Sequence, residues 1–452
     1  MAIKESGNRD GFTSKFGIIA AAAGSAIGLG NIWRFPYVAG ESGGGAFLLV
    51  YLGFVLVLGI PVMLSEFVIG RRAKRNAFGA FRKLAPGTAW PVVGIMGIVA
   101  AFVILAFYST IAGWTLHYVY LSLVNGFKGQ DVAGLNAMFE GFYTSQFMPL
   151  LWQMVFIGLT AIIILSGVRK GIEKYSKILM PFLLLLLISL CIRSITLPGA
   201  MEGITFLFKP DFSKLNATVI LSALGQAAFS LSIGMGALIT YASYFPGQTH
   251  LTRTAFEVSI ADVIIAILAG IAIFPAVFAL GMQPDQGVGL IFMVLPNVFM
   301  QMTGGYIIAL AFFVLLAIAA LTSSISIMEV VVAFLVEEFN LHRRVATLVT
   351  VVAAAFVGVF CTLSWSTFEG VSIGSRNIFD TLDFTASNIL LPLGGLLIVI
   401  FVGWYMKQVD VAEEMSNAGA IKMRMFKGFM FIIRFVAPVA IAVIFLHGIG
   451  LI

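Results

Sequence analysis

Charged side chains are scarce in this sequence. Lys, Arg, Asp and Glu make up 11% of the 452 residues, whereas hydrophobic residues make up 60% and the mean hydropathy is +1.03. A soluble domain cannot bury so much apolar surface, so lipid has to cover most of it. The shortage of charge therefore excludes a soluble protein and indicates an integral membrane protein with many helical spans.

Cysteine and histidine are also rare. The two cysteines, Cys191 and Cys361, fall in different apolar stretches, so we expect apolar packing residues and no disulfide. The four histidines are scattered without paired ligand spacing, which disfavours a histidine metal site. The sequence has no Walker lysine motif, no paired catalytic carboxylates and no nucleophile–histidine pair. We therefore expect neither ATP-driven transport by this chain alone nor an enzyme.

Long apolar stretches fill most of the chain and leave only short loops. Crossing a bilayer core of roughly 30 Å takes about 20 apolar residues. By this criterion the sequence predicts eleven spans, over Lys15–Val38, Gly44–Gly70, Trp90–Val124, Pro149–Ser166, Tyr175–Thr196, Val219–Tyr244, Ala255–Met282, Tyr306–Val336, Val345–Leu363, Phe379–Met406 and Phe426–His447.

Lys and Arg residues concentrate on one side of the predicted membrane. The segment 71–83 holds six of them and 168–177 holds four, and both lie on the same side as the leader if the spans alternate. The positive-inside rule then predicts a cytoplasmic N-terminus and, after an odd number of spans, an external C-terminus. The net charge of +6 is thus a topology signal, and we expect no nucleic-acid partner, because aromatic residues do not interleave with the basic ones.

Two spans contain residues that a regular membrane helix avoids. The first has Gly24, Gly28 and Gly30 followed by Asn31, and the sixth contains GQAAFSLSIGMGAL over 225–238. Close helix packing through Gly24 and Gly28 would explain the first span alone. Interrupted spans five positions apart instead match two inverted repeats with a binding site at the midplane. Free carbonyls at such a break suit a cation, and free amides suit a carboxylate.

We therefore predict an all-α polytopic membrane protein with two inverted five-helix repeats. The repeats comprise spans 1–5 and 6–10, with broken first and sixth helices, and an eleventh helix follows. The expected divisions are a cytoplasmic leader (1–14), the two repeats (15–196 and 217–406) and the last span with a short external tail (426–452).

Several motifs together resemble the neurotransmitter:sodium symporter family in its bacterial amino-acid branch. They are GSAIGLGNIWRFPY in the first span, GGGAFLLVY opening the second, ITYASY closing the sixth, LTSSISIMEV in the eighth and LDF in the tenth. The resemblance covers nearly the whole chain. It implies sodium-coupled import of an amino acid by alternating access, in the inner membrane of a bacterium.

The resemblance also implies two sodium sites built from oxygen atoms, which sodium prefers as ligands. Interhelical hydrogen bonding is the alternative role for the hydroxyls of the eighth span. The first site would use Ala26, Asn31, Ser230 and Asp262. The second site would use Gly24, Ile27, Ala319, Thr322 and Ser323.

Asp262 departs from the commonest family pattern. Alignment on Gly270 puts it where the family usually has an asparagine sodium ligand, and a shift of one turn would put it where chloride dependence is decided. At either position, a fixed carboxylate would supply the negative charge that chloride supplies in chloride-using members of the family. We therefore expect transport that is independent of chloride. Tyr51 and Gln226, which match other anion-site positions, would orient that carboxylate. The alternative is an acid that snorkels to the membrane surface.

The implied substrate site is apolar around a single carboxylate-binding group. Tyr108 and the amides of Gly28 and Gly30 would bind the carboxylate. Since Gly28 replaces the aspartate of monoamine-carrying relatives, the substrate should be an amino acid and not an amine. The remaining contacts implied by the resemblance are Ala26, Phe229 and Ser232 for the amine, and Ile104, Phe229, Met235 and Ile327 for an apolar or aromatic side chain.

The resemblance implies two charged gates. Arg34 would pair with Asp383 on the outside, and Arg9 with Glu337 on the inside. Glu329 is a further buried acid without an assigned site role, and we interpret it as a helix-to-helix anchor. Proton-coupled amino-acid transport on the same fold remains the alternative function, and nothing in the sequence points to an obligatory protein partner.

Overall fold

The computed structural model describes residues 11–281, 290–423 and 425–451, and most of them lie in helices. A helix satisfies its backbone hydrogen bonds within one segment, which the interior of a bilayer demands. Within these ranges, nine helices are long and apolar enough to cross a membrane, and a further span is a helix pair bent by 52°. The predicted sixth span consists of two shorter helices. The predicted polytopic helical fold is confirmed.

The spans follow one another with short connections. In chain order they are Lys15–Ala26 with Gly30–Glu41, Gly45–Ala73, Pro91–Leu123, Met148–Leu165, Val168–Ile195, Ala217–Ser230 with Ala237–Ser243, Leu251–Ala279, Gly305–Glu338, Arg343–Trp365, Ile378–Tyr405 and Phe426–Gly448. Shorter helices lie between them at Ala77–Leu84, Val132–Tyr143, Ala200–Phe208, Phe212–Lys214, Ile291–Met300 and Gln408–Met415. The antiparallel strands Ser372–Ile373 and Arg376–Asn377 form a hairpin. Met282, the predicted end of the seventh span, lies outside the described residues.

The first span breaks after Ala26. Its amino-terminal half begins at Lys15, where the Ser14 side chain accepts a hydrogen bond from Gly17 N and caps the helix. Ile27 then adopts an extended backbone with ψ of 103°, and the helix resumes at Gly30. The predicted interruption of this span is therefore present, and it leaves backbone groups free in the middle of the protein.

The sixth span is unwound between its two helices. Ser232, Gly234 and Gly236 have positive φ angles of 55°, 89° and 73° there, a conformation that favours glycine. The Gly234 amide donates a hydrogen bond of 2.8 Å to Glu66 Oε1, and a Cβ at Gly234 would lie 2.3 Å from the carbonyl oxygen of Leu391. The second and tenth spans therefore cover this backbone and satisfy part of it.

Both breaks lie inside one continuous apolar core. The first span packs against the fifth, seventh and eighth spans, the sixth packs against the second, and the third packs against the eighth. Broken backbone is tolerated in a membrane protein only where protein or water covers it. The packing thus places both breaks where such backbone can exist.

The start of the first span is tied to the start of the fifth. Glu173, 1% exposed, accepts hydrogen bonds of 2.9–3.2 Å from the backbone amides and hydroxyls of Thr13 and Ser14. Its carboxylate also pairs with Lys177 Nζ at 2.6 Å. Gly17 permits this approach, because a Cβ there would lie 2.3 Å from Oε1. The two spans are thereby fastened together at one end.

Candidate ion and substrate site

A buried carboxylate lies beside the first break. Asp262 is 0% exposed, so it does not snorkel to a membrane surface. Its carboxylate accepts hydrogen bonds from Asn31 Nδ2 at 2.7 Å, from Ser230 Oγ at 2.8 Å and from Tyr51 Oη at 3.2 Å. Among the described residues, no Lys, Arg or His forms an ion pair with it. The carboxylate is held in place but its charge is not balanced by a side chain.

This group of atoms has the chemistry of a cation site. Leaving a charge buried and unpaired is costly, and a small cation would remove that cost. The neighbouring groups offer hydroxyl and carboxylate oxygens, which are hard ligands, whereas Asn31 presents its Nδ2 and its Oδ1 accepts a hydrogen bond of 3.2 Å from the Gly28 amide. Ala26, the remaining member of the predicted set, ends the helix directly before the break. The structure brings Asn31, Ser230 and Asp262 into direct contact.

Gln226 does not orient Asp262 as the sequence predicted. Its Nε2 donates a hydrogen bond of 2.9 Å to the carbonyl oxygen of Gly30. Its Oε1 is buried without a hydrogen-bond partner. The side chain therefore braces the carboxy-terminal half of the first span, and among the two predicted supports only Tyr51 contacts the carboxylate.

A second group of oxygen atoms lies where the eighth span meets the break. Ser323 Oγ lies 3.4 Å from the carbonyl oxygen of Gly24 and 3.3 Å from that of Ile27. Thr322 Oγ1 lies 3.4 Å from the Ile27 carbonyl oxygen and 3.0 Å from that of Ala319. Each hydroxyl carries one proton and can satisfy one acceptor at a time. The cluster consequently has more acceptors than donors, which also suits a cation.

The hydroxyl of Tyr108 faces the same break from the third span. It accepts a hydrogen bond of 3.3 Å from the Leu29 amide. A Cβ at Gly28 would lie 3.2 Å from this hydroxyl and 2.2 Å from a serine Oγ of the eighth span, so a side chain does not fit there. At Gly30, a Cβ would lie 3.1 Å from the ring of Phe229. A tyrosine hydroxyl, backbone amides and an aromatic ring thus converge on one point.

The other predicted pocket residues are buried in the same core. Ile104, Met235 and Ile327 are each 3–4% exposed. Ser232 Oγ donates a hydrogen bond of 2.8 Å to the Ser25 carbonyl oxygen. This hydrogen bond joins the two unwound segments directly. A movement of the backbone at one break therefore acts on the backbone at the other.

The predicted outer gate pair is not formed in this structure. The Arg34 guanidinium lies over the Phe229 ring, 4.3 Å from its centroid, and Asp383 accepts a hydrogen bond of 2.9 Å from Ser387 Oγ. No ion pair joins Arg34 to Asp383. Each side chain has another partner in this conformation, and the role of Arg34 and Asp383 as a gate stays a prediction.

On the side of the predicted inner gate, Glu337 and Phe12 both contact neighbouring segments. Glu337 accepts hydrogen bonds from Asn76, at 2.8 Å from the backbone amide and 3.0 Å from Nδ2. Its predicted partner, Arg9, lies outside the described residues. Phe12 packs edge-on against Tyr241 and Tyr244 of the sixth span. The leader thus rests against the second half of the broken sixth helix.

Glu329 joins helices, as its interpretation as a helix-to-helix anchor suggested, but its partners were not predicted. Glu329 pairs with Arg343 Nη2 at 2.5 Å and accepts a hydrogen bond of 2.8 Å from Tyr244 Oη. A buried acid needs a cationic partner, and Arg343 is the first arginine or lysine to follow the eighth span. That signal was available, but the sequence does not show that the tyrosine of the sixth span joins the pair.

Comparison with known proteins agrees with this geometry. The model of the sodium:neurotransmitter symporter family matches residues 9–131 and 138–451. The sodium-dependent transporter YhdH of Bacillus subtilis is 41% identical over 97% of this chain and 98% of its own length. The sodium-dependent dopamine transporter of Bos taurus is 28% identical over 89% of this chain and 64% of its own length.

A solved structure of MhsT in complex with L-phenylalanine is also similar. It is 47% identical in sequence and superimposes with a TM-score of 0.90, covering 98% of this chain and 100% of the other. Relatives of this kind are membrane transporters that depend on sodium, and not enzymes. The chain described here is a member of the sodium:neurotransmitter symporter family.

Proposed function

We propose that this transporter imports a neutral, apolar or aromatic L-amino acid together with sodium, without a requirement for chloride. The observation that supports the proposal is that two oxygen clusters and the Tyr108 hydroxyl share one helix break, at residues 24–31. A ligand at any of these positions fixes the same backbone. Binding of sodium and of the amino acid is therefore coupled, and the coupling is reciprocal.

The first sodium ion would bind the Ala26 carbonyl, Asn31, Ser230 and Asp262. Asp262 brings one negative charge to this position, so an ion bound there is neutralised by the protein itself. Chloride would then have no charge left to balance, which is the physical basis of the proposed chloride independence.

The second sodium ion would bind where the first and eighth spans meet. Its ligands would be the carbonyl oxygens of Gly24, Ile27 and Ala319 and the hydroxyls of Thr322 and Ser323. The excess of acceptors over protons in this cluster supports the assignment. An ion there would hold the amino-terminal half of the first span against the eighth.

The amino acid would bind through its main-chain groups at the two breaks. Tyr108 and the backbone amides of Gly28 and Gly30 would hold the carboxylate, and the Ala26, Phe229 and Ser232 oxygens would hold the ammonium group. Ile104, Phe229, Met235 and Ile327 would surround the side chain. Since these are apolar, a charged side chain would be buried unpaired. The L-phenylalanine in the MhsT structure supports this substrate class.

Transport would proceed by alternating opening on the two sides of the breaks. Arg34 and Asp383 would close the outer side when they meet, and the Glu337 region, with Arg9, would open the inner side afterwards. In the present structure Arg34 and Asp383 are apart, while Glu337 is hydrogen-bonded to Asn76. This difference supports a cycle in which the two sides of the protein open one after the other. We further propose a bacterial inner-membrane location, with the N-terminus in the cytoplasm and no obligatory protein partner.

The test is binding of radiolabelled tryptophan and leucine to the purified protein in sodium gluconate and in potassium gluconate. We expect saturable binding in sodium gluconate and none in potassium gluconate. The same experiment tests chloride independence, since neither salt supplies chloride. Equal binding in both salts would refute sodium coupling and favour a proton-coupled transporter of the same fold. Sodium-dependent binding that appears only after chloride is added would refute the proposed role of Asp262.

A further inference from the structure

Four buried polar side chains join the third, fourth and ninth spans directly after Tyr108 in the third span. Ser109 and Thr110 lie on the third span, Gln153 on the fourth and Thr362 on the ninth, and each is at most 1% exposed. Polar side chains inside a membrane protein are costly, so their presence there points to a role beyond packing. None of the four is among the proposed ion ligands or substrate contacts.

The hydrogen bonds among these side chains run in one direction and return to the third span. Thr362 Oγ1 donates to Gln153 Oε1 at 2.8 Å, so the Thr110 hydroxyl, 2.8 Å from Thr362 Oγ1, has to donate to Thr362. Gln153 Nε2 donates to Ser109 Oγ at 2.9 Å, and the Ser109 hydroxyl donates to the Ala106 carbonyl oxygen at 2.7 Å. Each hydroxyl proton is used once. The series of bonds therefore begins and ends within two turns of the third span, with the Gln153 amide in the middle.

Two glycines leave the room that Gln153 occupies. A Cβ at Gly113 of the third span would lie 2.7 Å from the Gln153 backbone nitrogen, and a Cβ at Gly358 of the ninth span would lie 2.2 Å from Gln153 Nε2. Both distances are far shorter than those at which non-bonded heavy atoms pack. The neighbouring helices are thus shaped around this one side chain, and its amide holds them in a fixed relation.

The residues held by this series lie on the face of the third span opposite the proposed substrate pocket. Successive residues of an α-helix are about 100° apart around its axis. Ser109, Thr110 and Gly113 therefore share one face, and Ile104 and Tyr108 lie on the other side of the helix. Bonds on the first face fix the rotation of the helix about its axis. The Tyr108 hydroxyl lies at the far end of its side chain, so a rotation moves it further than it moves the backbone.

We propose that Gln153 is a positioning residue for substrate binding. By its hydrogen bond to Ser109 it sets the rotation of the third span at which the Tyr108 hydroxyl meets the substrate carboxylate. Groups that bind a ligand have to be held within about 0.5 Å and 10–20° of the productive geometry. The effect on the carboxylate rests on the proposed function. The effect on Tyr108 does not, because its hydroxyl already accepts a hydrogen bond from the Leu29 amide in this structure.

The orientation of Tyr108 is measured without substrate, by amide-resolved hydrogen exchange at Leu29 in the full-length protein. The Leu29 amide is protected while the Tyr108 hydroxyl accepts from it. Gln153→Met keeps a long, unbranched side chain but lacks the amide. We expect Leu29 to exchange about fivefold faster in Gln153→Met, as it should in Tyr108→Phe. The double variant should exchange no faster than Tyr108→Phe, because no hydroxyl remains to be positioned.

Two further substitutions separate positioning from a general loss of packing. Thr160→Val is the matched control on the fourth span, since it removes a buried hydroxyl that donates to the Phe156 carbonyl oxygen of its own helix at 3.1 Å. Exchange at Leu29 should stay at the parent rate in this variant. Thr362→Val interrupts the series from the ninth span and should speed exchange at Leu29. It also tests the proposal if Gln153→Met does not fold.

The same variants are then tested for tryptophan binding in sodium gluconate. Gln153→Met should weaken binding about fivefold in the parent and should weaken it no further in Tyr108→Phe. Parent-like exchange at Leu29 in both Gln153→Met and Thr362→Val would overturn the proposal, as would an effect that adds to that of Tyr108→Phe. Faster exchange with unchanged tryptophan binding would overturn it as well. A parent protein that binds no tryptophan in sodium would refute the proposed function, while exchange at Leu29 would still decide whether Gln153 orients Tyr108.

Discussion

Replacement of Asp262 by asparagine separates the roles of charge and shape at the first cluster. Asp262→Asn keeps the side-chain volume and an acceptor oxygen for Tyr51 or Ser230, but it removes the only acidic group among these contacts. The amide also places an N–H donor opposite Asn31 Nδ2, where a carboxylate oxygen accepts now. Sodium binding should therefore weaken for both electrostatic and hydrogen-bonding reasons.

The expected loss of sodium affinity is the attraction between the carboxylate and the ion, less the free-energy cost of keeping the carboxylate buried. A carboxylate and a sodium ion about 2.4 Å apart attract each other by about 7 kcal/mol at an effective dielectric constant of about 20. Keeping that carboxylate buried costs several kcal/mol, which offsets most of the attraction. We take a net loss of about 2 kcal/mol, which corresponds to about thirtyfold weaker sodium affinity.

The assay is a sodium titration of radiolabelled tryptophan binding, carried out in gluconate and in chloride salts. In gluconate, Asp262→Asn should need about thirtyfold more sodium for half-maximal binding, and chloride should recover part of the loss by supplying the missing charge. Asp380→Asn, which neutralises an exposed acid, is the matched control and should behave like the parent. An unchanged titration in Asp262→Asn, with no effect of chloride, would refute the reasoning.

Three further results are expected. Gly28→Ala should abolish tryptophan binding, because its Cβ would lie 2.2 Å from a serine Oγ of the eighth span, whereas Gly158→Ala, with open space at its Cβ, should bind normally. Tyr108→Phe should weaken binding about tenfold in a competition assay, since it removes the hydroxyl that accepts from the Leu29 amide and would bind the substrate carboxylate. Glu329→Gln should lower the unfolding free energy by about 3–5 kcal/mol, because it leaves Arg343 partly buried without its carboxylate. Thermal inactivation in detergent measures this loss, and intact stability would contradict the assignment of a buried pair.

The sequence predicted the helix breaks because their cause is local. Glycine at Gly28, Gly234 and Gly236 permits close approach or positive φ angles, and these properties are visible in the residue type and its neighbours. A carboxylate such as Asp262 in an apolar stretch is likewise conspicuous without any structure. Its neighbours in space came from family resemblance, and not from spacing along the chain.

Contacts that depend on conformation could not be predicted in this way. Gln226 binds the Gly30 carbonyl and not Asp262, a choice decided by how the first and sixth spans pack. Arg34 and Asp383 are apart because each has another partner, and the proposed gate would join them only in another conformation. A single sequence contains the members of such pairs, but it does not specify which state is occupied.

The contact of Glu173 with the leader has a kinetic consequence. If the amino-terminal half of the first span swings away from the fifth, Thr13 and Ser14 must leave a carboxylate that accepts from both of them. A hydrogen bond to a charged group contributes about 1.5–3 kcal/mol, and each 1.36 kcal/mol on a barrier slows a step tenfold. Losing even one such bond before water replaces it would lengthen the lifetime of the docked state by at least about tenfold. This carboxylate would then set how long the first and fifth spans stay docked to each other.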